Sequence, residues 1–177
     1  MILVNDGSVD STDDIIERYE KKFLDQKVSY CRTYQENQGV GTAVNNALKY
    51  VSGEFLIWQD PDDYFEKDAL LKLHAYLKEH ENIVLVRGEV YFRNLNDPDE
   101  ILKIGKSDTD VPKDIAEDLI LRKNMYCLAG CFMGRSSVFN SYNNGMDIYP
   151  SRTGQNFQLL LPFVAAGPCG YLPEVVY

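Results

Sequence analysis

Over residues 2–92, short apolar runs alternate with longer stretches whose apolar positions repeat at helical spacing, and this alternation constrains the fold more than any other feature. Ile2-Leu3-Val4 stops at Asn5-Asp6-Gly7-Ser8, the mark of a strand running into a turn. Ser11 and Asp14 have capping-box spacing, and Ile15, Ile16, Tyr19 and Phe23 share one stripe, so residues 12–24 are predicted helical. A second strand is expected at 28–33, then a polar loop at 35–39 and a helix carrying Ala43, Val44, Ala47, Leu48 and Val51, closed by Gly53. Residues 54–59 form the kind of run that a strand buried on both faces shows, and it ends at Asp60-Pro61-Asp62-Asp63. Leu70, Leu71, Leu73, His74 and Leu77 mark a further helix. A strand follows at 83–86, with Val90-Tyr91-Phe92 as its continuation or partner. The order β-α-β-α-β-α-β predicts an α/β domain with a largely parallel sheet, whose ligands sit beyond the carboxyl ends of the strands.

The second half is less regular. A polar stretch with Pro98 and Pro112 leads to a helix near 115–121, a strand-like segment around 127–133 and a loop over 140–150. A helix is expected over 154–164, with Pro162 kinking or ending it, and an edge strand over 170–177 because of Pro173.

A chain of 177 residues supports one domain with a core of its own. Its net charge of −9, with no basic block, argues against nucleic acid as a partner, and a phosphate ligand would need a local cation. The four cysteines include no C-x-x-C pair and are joined by only two histidines, so neither a structural zinc nor a disulfide is expected. No apolar run has the length of a membrane span, the first residues lack a secretory pattern, and the cytoplasm is the default expectation.

The candidate chemistry lies in the two acidic turns. Taken singly, each has a structural reading, since Asp and Asn make turns, and Asp60, Asp62 or Asp63 could cap the helix near Lys67. Taken together, three carboxylates in the second turn repel one another, and Mg²⁺ or Mn²⁺ held by one or two of them plus substrate phosphates would offset that. Gly39-Val40-Gly41-Thr42 at a helix start lacks the Gly-Lys-Ser/Thr of a phosphate loop and reads as turn chemistry. His74 and His80 read as surface or half-buried side chains, and Trp58 as a packing residue beside the turn.

Residues 2–12, Ile-Leu-Val-Asn-Asp-Gly-Ser-x-Asp-x-Thr, are followed by Glu36-Asn37-x-Gly39, Ala43-x-Asn45-x-Ala47-Leu48, and Gly53-Glu54-Phe55 leading to Asp60-x-Asp62-Asp63. In combination these blocks resemble the family-2 glycosyltransferases of the GT-A fold. The resemblance covers residues 2–93 well and the rest more loosely, although residues 154–162 also look like a helix of a bacterial branch. It implies one glycosyltransferase-like domain over 1–177, with a nucleotide-sugar-binding half at 1–93 and an acceptor-side half at 94–177. By the same resemblance Asp6 contacts the nucleotide base, Asp60 faces the ribose side, Asp62 holds the metal, and Asp63 orients the loop or meets the donor sugar. Asn37 and Asn45 are candidates for polar linings of that pocket, and Val44 stands where the family often has Arg. The family commonly places an acidic base at the start of the late helix, where this chain has Gly154-Gln155-Asn156. Amides cannot take a proton at neutral pH, so the expectation is Asp147 or another carboxylate as base, or an acceptor held by Gln155 and Asn156.

The expected function is metal-assisted and inverting: transfer of a sugar from a nucleotide-diphosphate sugar, a UDP-sugar first, to a cell-envelope glycan or lipid-linked acceptor. The expected place is the cytoplasm, extending to the inner face of the membrane. The first rival is a non-catalytic nucleotide-binding or interaction module of the same fold, which Val44 and the missing acidic base favour. A response-receiver-like protein is weaker, because the later strands lack the lysine and lone aspartate it needs. The chain also opens on what resembles the family's second strand. That sets the expectation of a missing strand-helix unit, self-association through sheet edges into a homodimer, and weak activity of the 177 residues alone.

Overall fold

The structure, a computed structural model, describes residues 1–106, 115–123, 125–142 and 147–177. Strand β1 (Ile2–Asp6) runs parallel to β2 (Cys31–Gln35), with Ile2 opposite Cys31 and Asp6 opposite Gln35. A parallel pair needs a crossover, and α1 (Thr12–Asp25) supplies it. The expected capping box does not form. Asp10 instead accepts from the Thr12 backbone N–H at 3.0 Å and from its hydroxyl at 2.5 Å, while Asp13 accepts from the Asn5 side chain at 2.7 Å. Strand β2 begins later than the apolar run at 28–33 suggests. The reason is helix closure: Lys27 takes φ 60°, and the Val28 N–H returns to the Phe23 carbonyl at 2.9 Å.

A second sheet has five strands: β3 (Phe55–Leu56), β4 (Leu85–Asn94), β5 (Asp97–Gly105), β6 (Phe132–Arg135) and β7 (Cys169–Val175). The order is β3-β6-β4-β5, with β7 also paired to β4. The β4–β7 pairing is parallel; β3–β6, β4–β6 and β4–β5 are antiparallel, so the α/β class holds with a mixed sheet. The β4–β5 direction follows from a tight turn, in which the Asn96 N–H bonds to the Asn94 side chain. The expected single strand at 83–86 and its continuation are one long β4. β5 replaces the polar stretch around Pro98; it is exposed along nearly its whole length, so neither face forces an apolar pattern. Pro112 lies outside the described residues.

Helices α2 (Val40–Leu48), α3 (Ala69–Glu79) and α4 (Ala116–Leu121) follow the predicted order. A 3-10 turn at 129–131 leads into β6. The expected loop at 140–150 begins inside α5 (Ser136–Tyr142), and residues 143–146 of that loop lie outside the described residues. Pro162 sits inside α6 (Gln155–Ala166) without ending it, because Leu159, Leu160, Phe163 and Val164 are buried around it. β7 pairs with β4 on one side, consistent with Pro173 in an edge strand.

The buried apolar residues run from Leu48 to Tyr177, with Leu73, Leu77, Leu85, Phe132, Leu160 and Phe163 at its centre. None of them precedes Leu48; before it, Asn5 and Gly41 are the buried positions. Gly134 permits the tight contact of β6 with α6, since a Cβ there would stand 2.3 Å from the Phe163 ring. Among the described residues no helix is long and apolar enough to cross a membrane.

Candidate functional site

The first acidic turn is tied down from within. Asp6 Oδ1 accepts from the Gln35 side chain at 2.8 Å and the Gln38 N–H at 2.9 Å, and Oδ2 accepts from the Gly39 N–H at 2.9 Å. One carboxylate therefore fixes the entry to α2, where Gly39 takes φ 90°. Gly7, at φ 75°, has the Asn37 backbone directly over it: a Cβ would stand 2.6 Å from the Asn37 nitrogen. Asn37 itself is exposed. In the first turn of α2 the Gly41 N–H donates to the Ser151 carbonyl at 3.0 Å and the Thr42 and Ala43 N–H groups to the Gly39 carbonyl at 3.1 Å, so these three amides do not point to a phosphate.

Asn45 forms a paired clamp across the fold. Its side-chain nitrogen donates to the Ile148 carbonyl at 2.7 Å, and its oxygen accepts from the Ile148 N–H at 2.7 Å. An open cavity of about 340 Å³ lies beside it, lined by Gln35, Gln38, Thr42, Asn45, Asn46, Lys49 and Asp147. Asp147 thus faces the α2 side, and no residue of the second acidic turn lines that cavity.

The second turn is braced from outside. Tyr177 Oη lies 3.1 Å from Asp63 Oδ2 and accepts from the Asp60 N–H at 3.3 Å. Within the turn, the Asp63 N–H reaches the Asp60 carbonyl at 3.3 Å, and the Gln59 side chain donates to the Asp63 carbonyl at 2.6 Å. Asp60 is half-buried and hydrogen-bonds the Asn156 side chain. Burial pushes its carboxyl above the usual aspartate value and the Asp63 and Asp62 charges add to that, while the Asn156 bond opposes it. None of the three carboxylates caps α3, whose N-cap is Asp68.

Asn156 is the hub on the α6 side. It accepts from the Trp58 indole N–H at 2.9 Å and donates to the Cys127 carbonyl at 3.2 Å, besides its bond with Asp60. Trp58 packs against the core. Gln155, the first residue of α6, is half-buried. Asp62 and Asp63 are both exposed, and of the second turn's carboxylates Asp62 alone accepts no hydrogen bond among the described residues.

This donor set is all oxygen and acidic, which suits a hard divalent cation. Among the described residues no group of three or more Asp, Glu, His or Cys side chains converges as a self-sufficient metal cage. The fit is to a cation held by one or two carboxylates and completed by diphosphate and water, with Asp62 free to supply the first. The brace from Tyr177 has no local signal in the sequence, because it acts across 114 positions; the Trp58–Asn156 bond crosses 98.

A model of glycosyl transferase family 2 matches residues 1–142. Over 86 residues the chain is 40% identical to the poly(ribitol-phosphate) beta-N-acetylglucosaminyltransferase TarS of Staphylococcus aureus strain Mu50, a stretch that is 49% of this chain and 14% of that protein. The crystal structure of S. aureus TarS 1-349 in complex with UDP shares the fold at TM-score 0.68 and 20% identity, over 99% of this chain and 49% of that one. The mannosyltransferase PcManGT of Pyrobaculum calidifontis, in complex with GDP-Man and Mn²⁺, does so at TM-score 0.64 and 14% identity, over 99% and 46%. The chain spans about half the length of these solved structures and a smaller share of the whole TarS protein.

Proposed function

The chain belongs to glycosyl transferase family 2, and from that premise we propose that it carries the donor site of an enzyme moving a sugar from a nucleotide-diphosphate sugar, a UDP-sugar, to a cell-envelope glycan or lipid-linked acceptor. The observation that carries the reading is the second turn, where Asp60 and Asp63 are restrained by side chains from other elements while Asp62 is left open. The TarS name and the UDP and GDP-Man complexes of the structural neighbours support a nucleotide-sugar donor and a polymeric envelope acceptor.

In this reading Asp62 would hold Mg²⁺ or Mn²⁺ against the donor diphosphate. A bound divalent cation supplies positive charge to the leaving group as the glycosidic bond breaks. Asp60, fixed by Asn156, would orient the ribose side, and Asp6 would present its remaining lone-pair direction to the base. Among the acceptor-side candidates only Asp147 carries a carboxylate, but it lines the α2-side cavity apart from the second turn, so it would take the acceptor's proton only if the acceptor bridges the two, and otherwise another carboxylate serves as base. Asn156 is occupied on both its oxygen and its nitrogen, which favours a role in holding the turn over one in holding the acceptor.

A homodimer through sheet edges belongs to the same proposal. Its support is that β1 pairs only with β2 and β3 only with β6 among the described residues, which leaves strand edges open.

The test is UDP release from UDP-sugars, with and without acceptor, in Mn²⁺ and in EDTA, with molar mass measured by light scattering. Release that needs both metal and acceptor supports transfer. The rival, a non-catalytic module, is favoured by the amides at the start of α6, and binding without release would establish it.

A further inference from the structure

Tyr177 is built into the acidic turn by three independent constraints. Its ring lies against Phe65, with centroids 5.5 Å apart and planes at 57°. Gly130 makes the slot for that ring: a Cβ at 130 would stand 2.0 Å from the Tyr177 ring, so any side chain there displaces it. The backbone is pinned as well, with the Tyr91 N–H donating to the Tyr177 carbonyl at 2.8 Å and the Glu66 N–H to the Val176 carbonyl at 3.0 Å. The ring is 7% exposed, yet its hydroxyl emerges at the turn.

A phenol has one proton and can accept as well. Asp63 is acceptor-only when ionised, so the hydroxyl donates its proton to Asp63 Oδ2 and accepts from the Asp60 N–H. Burial and the Asp63 charge both hold the phenol protonated, which keeps the donor in place. The result ties the first and last carboxylate residues of the turn to a single atom, while Asp62 between them carries no such tie.

We propose that Tyr177 is a positioning residue for the cation and diphosphate. By holding Asp63 back and fixing the backbone at Asp60, it keeps the turn in the one shape that projects Asp62 outward, so that ordering the turn is no part of what binding must supply. The inference rests on the donor-site reading above.

The experiment is calorimetric titration of Mn²⁺ with UDP into the whole chain, for the wild type, Tyr177→Phe, Asp63→Asn and the double variant, well below each melting temperature. Thermal unfolding without ligand is recorded alongside. Tyr177→Phe keeps the ring in the Gly130 slot and removes only the hydroxyl. The expected result is about tenfold weaker Mn²⁺-dependent binding in Tyr177→Phe, the scale of one hydrogen bond to a charged group. In the double variant the loss should fall short of the product of the two single losses, because both act through one bond. Unchanged binding in Tyr177→Phe, with or without a lower melting temperature, overturns the inference and leaves the donor-site reading standing. Fully multiplicative losses overturn it likewise. A wild type that binds UDP no better with Mn²⁺ than without overturns the donor-site reading and the inference with it.

Discussion

Asp6 and Asp60 both stand in acidic turns that follow a strand, but the two turns are held in opposite ways. The Asp6 carboxylate, at the end of β1, collects one hydrogen bond from the Gln35 side chain at the end of the neighbouring β2 and two from backbone N–H groups of the loop that follows, and so fixes the start of α2. The Asp60 turn is held by residues far along the chain, Asn156 and Tyr177, and Asp62 at its crest is left open. The difference shows what acidic residues can do at strand ends. A carboxylate that accepts from backbone N–H groups stabilises a loop, whereas carboxylates crowded together and braced from behind suit the bound cation proposed for Asp62.

The contrast breaks most sharply at Asp62. Asp62→Ala should weaken Mn²⁺-dependent UDP binding by roughly 100-fold, the upper end of what losing a mere outer-shell partner of a metal ligand costs. Its melting temperature without ligand should barely move, because the side chain has no hydrogen bond to lose among the described residues. Calorimetric titration and a thermal melt read both quantities, and a large fall in stability would make Asp62 a structural residue like Asp6.

Asp6→Ala should show the reverse pattern. Loss of the hydrogen bonds to a charged acceptor costs about 2 kcal/mol, which for a chain of this size lowers the melting temperature by roughly 4–8 °C. Metal dependence of UDP binding should survive, although affinity for the nucleoside falls. An Asp6→Ala protein as stable as the wild type would show that the α2 entry holds itself.

The smallest effect is expected at Asp60. Its carboxyl is raised above the ordinary value, chiefly by burial, so the ionised form is penalised in the folded state. That penalty is present above the folded value and fades as pH falls through it toward the unfolded value. Asp60→Asn should therefore raise the melting temperature slightly at neutral pH, with the gain shrinking in acid, while it weakens donor binding. A lower melting temperature at neutral pH would mean that the Asn156 bond outweighs burial.

Sequence periodicity was enough for the α/β class, for α1 to α3 and for the positions of both turns, because each of those features is set by neighbouring residues. Strand limits were less legible. β2 starts at Cys31 because the closing turn of α1 takes residues up to Val28, and β3 is only Phe55–Leu56, shorter than the apolar run at 54–59. β5 gave no signal since a strand exposed on both faces has no apolar pattern to read. In the site, the acidic residues were visible as a motif, but their division of labour was not. Nothing near Asp63 in sequence announces Tyr177, and the part Asn45 plays depends on Ile148, 103 positions away.

The absence of any fully buried apolar side chain before Leu48 has a thermodynamic consequence. The β1-α1-β2 unit carries Asp6, but its contacts are half-exposed, so it opens at a smaller free energy than β4 and its neighbours. If Asp6 contacts the base as proposed, the fraction of molecules with this unit closed is the fraction competent to bind the nucleotide, and observed affinity scales with that fraction. On that proposal occupancy and order in this unit are linked, and the nucleotide would act partly as a folding partner for the segment that binds it. Hydrogen exchange gives the measure: amides of β1 and β2 should exchange well before those of β4, and UDP with Mn²⁺ should slow the first group more than the second. Equal protection of both groups without ligand would mean that half-exposed packing is sufficient to keep the β1-α1-β2 unit closed.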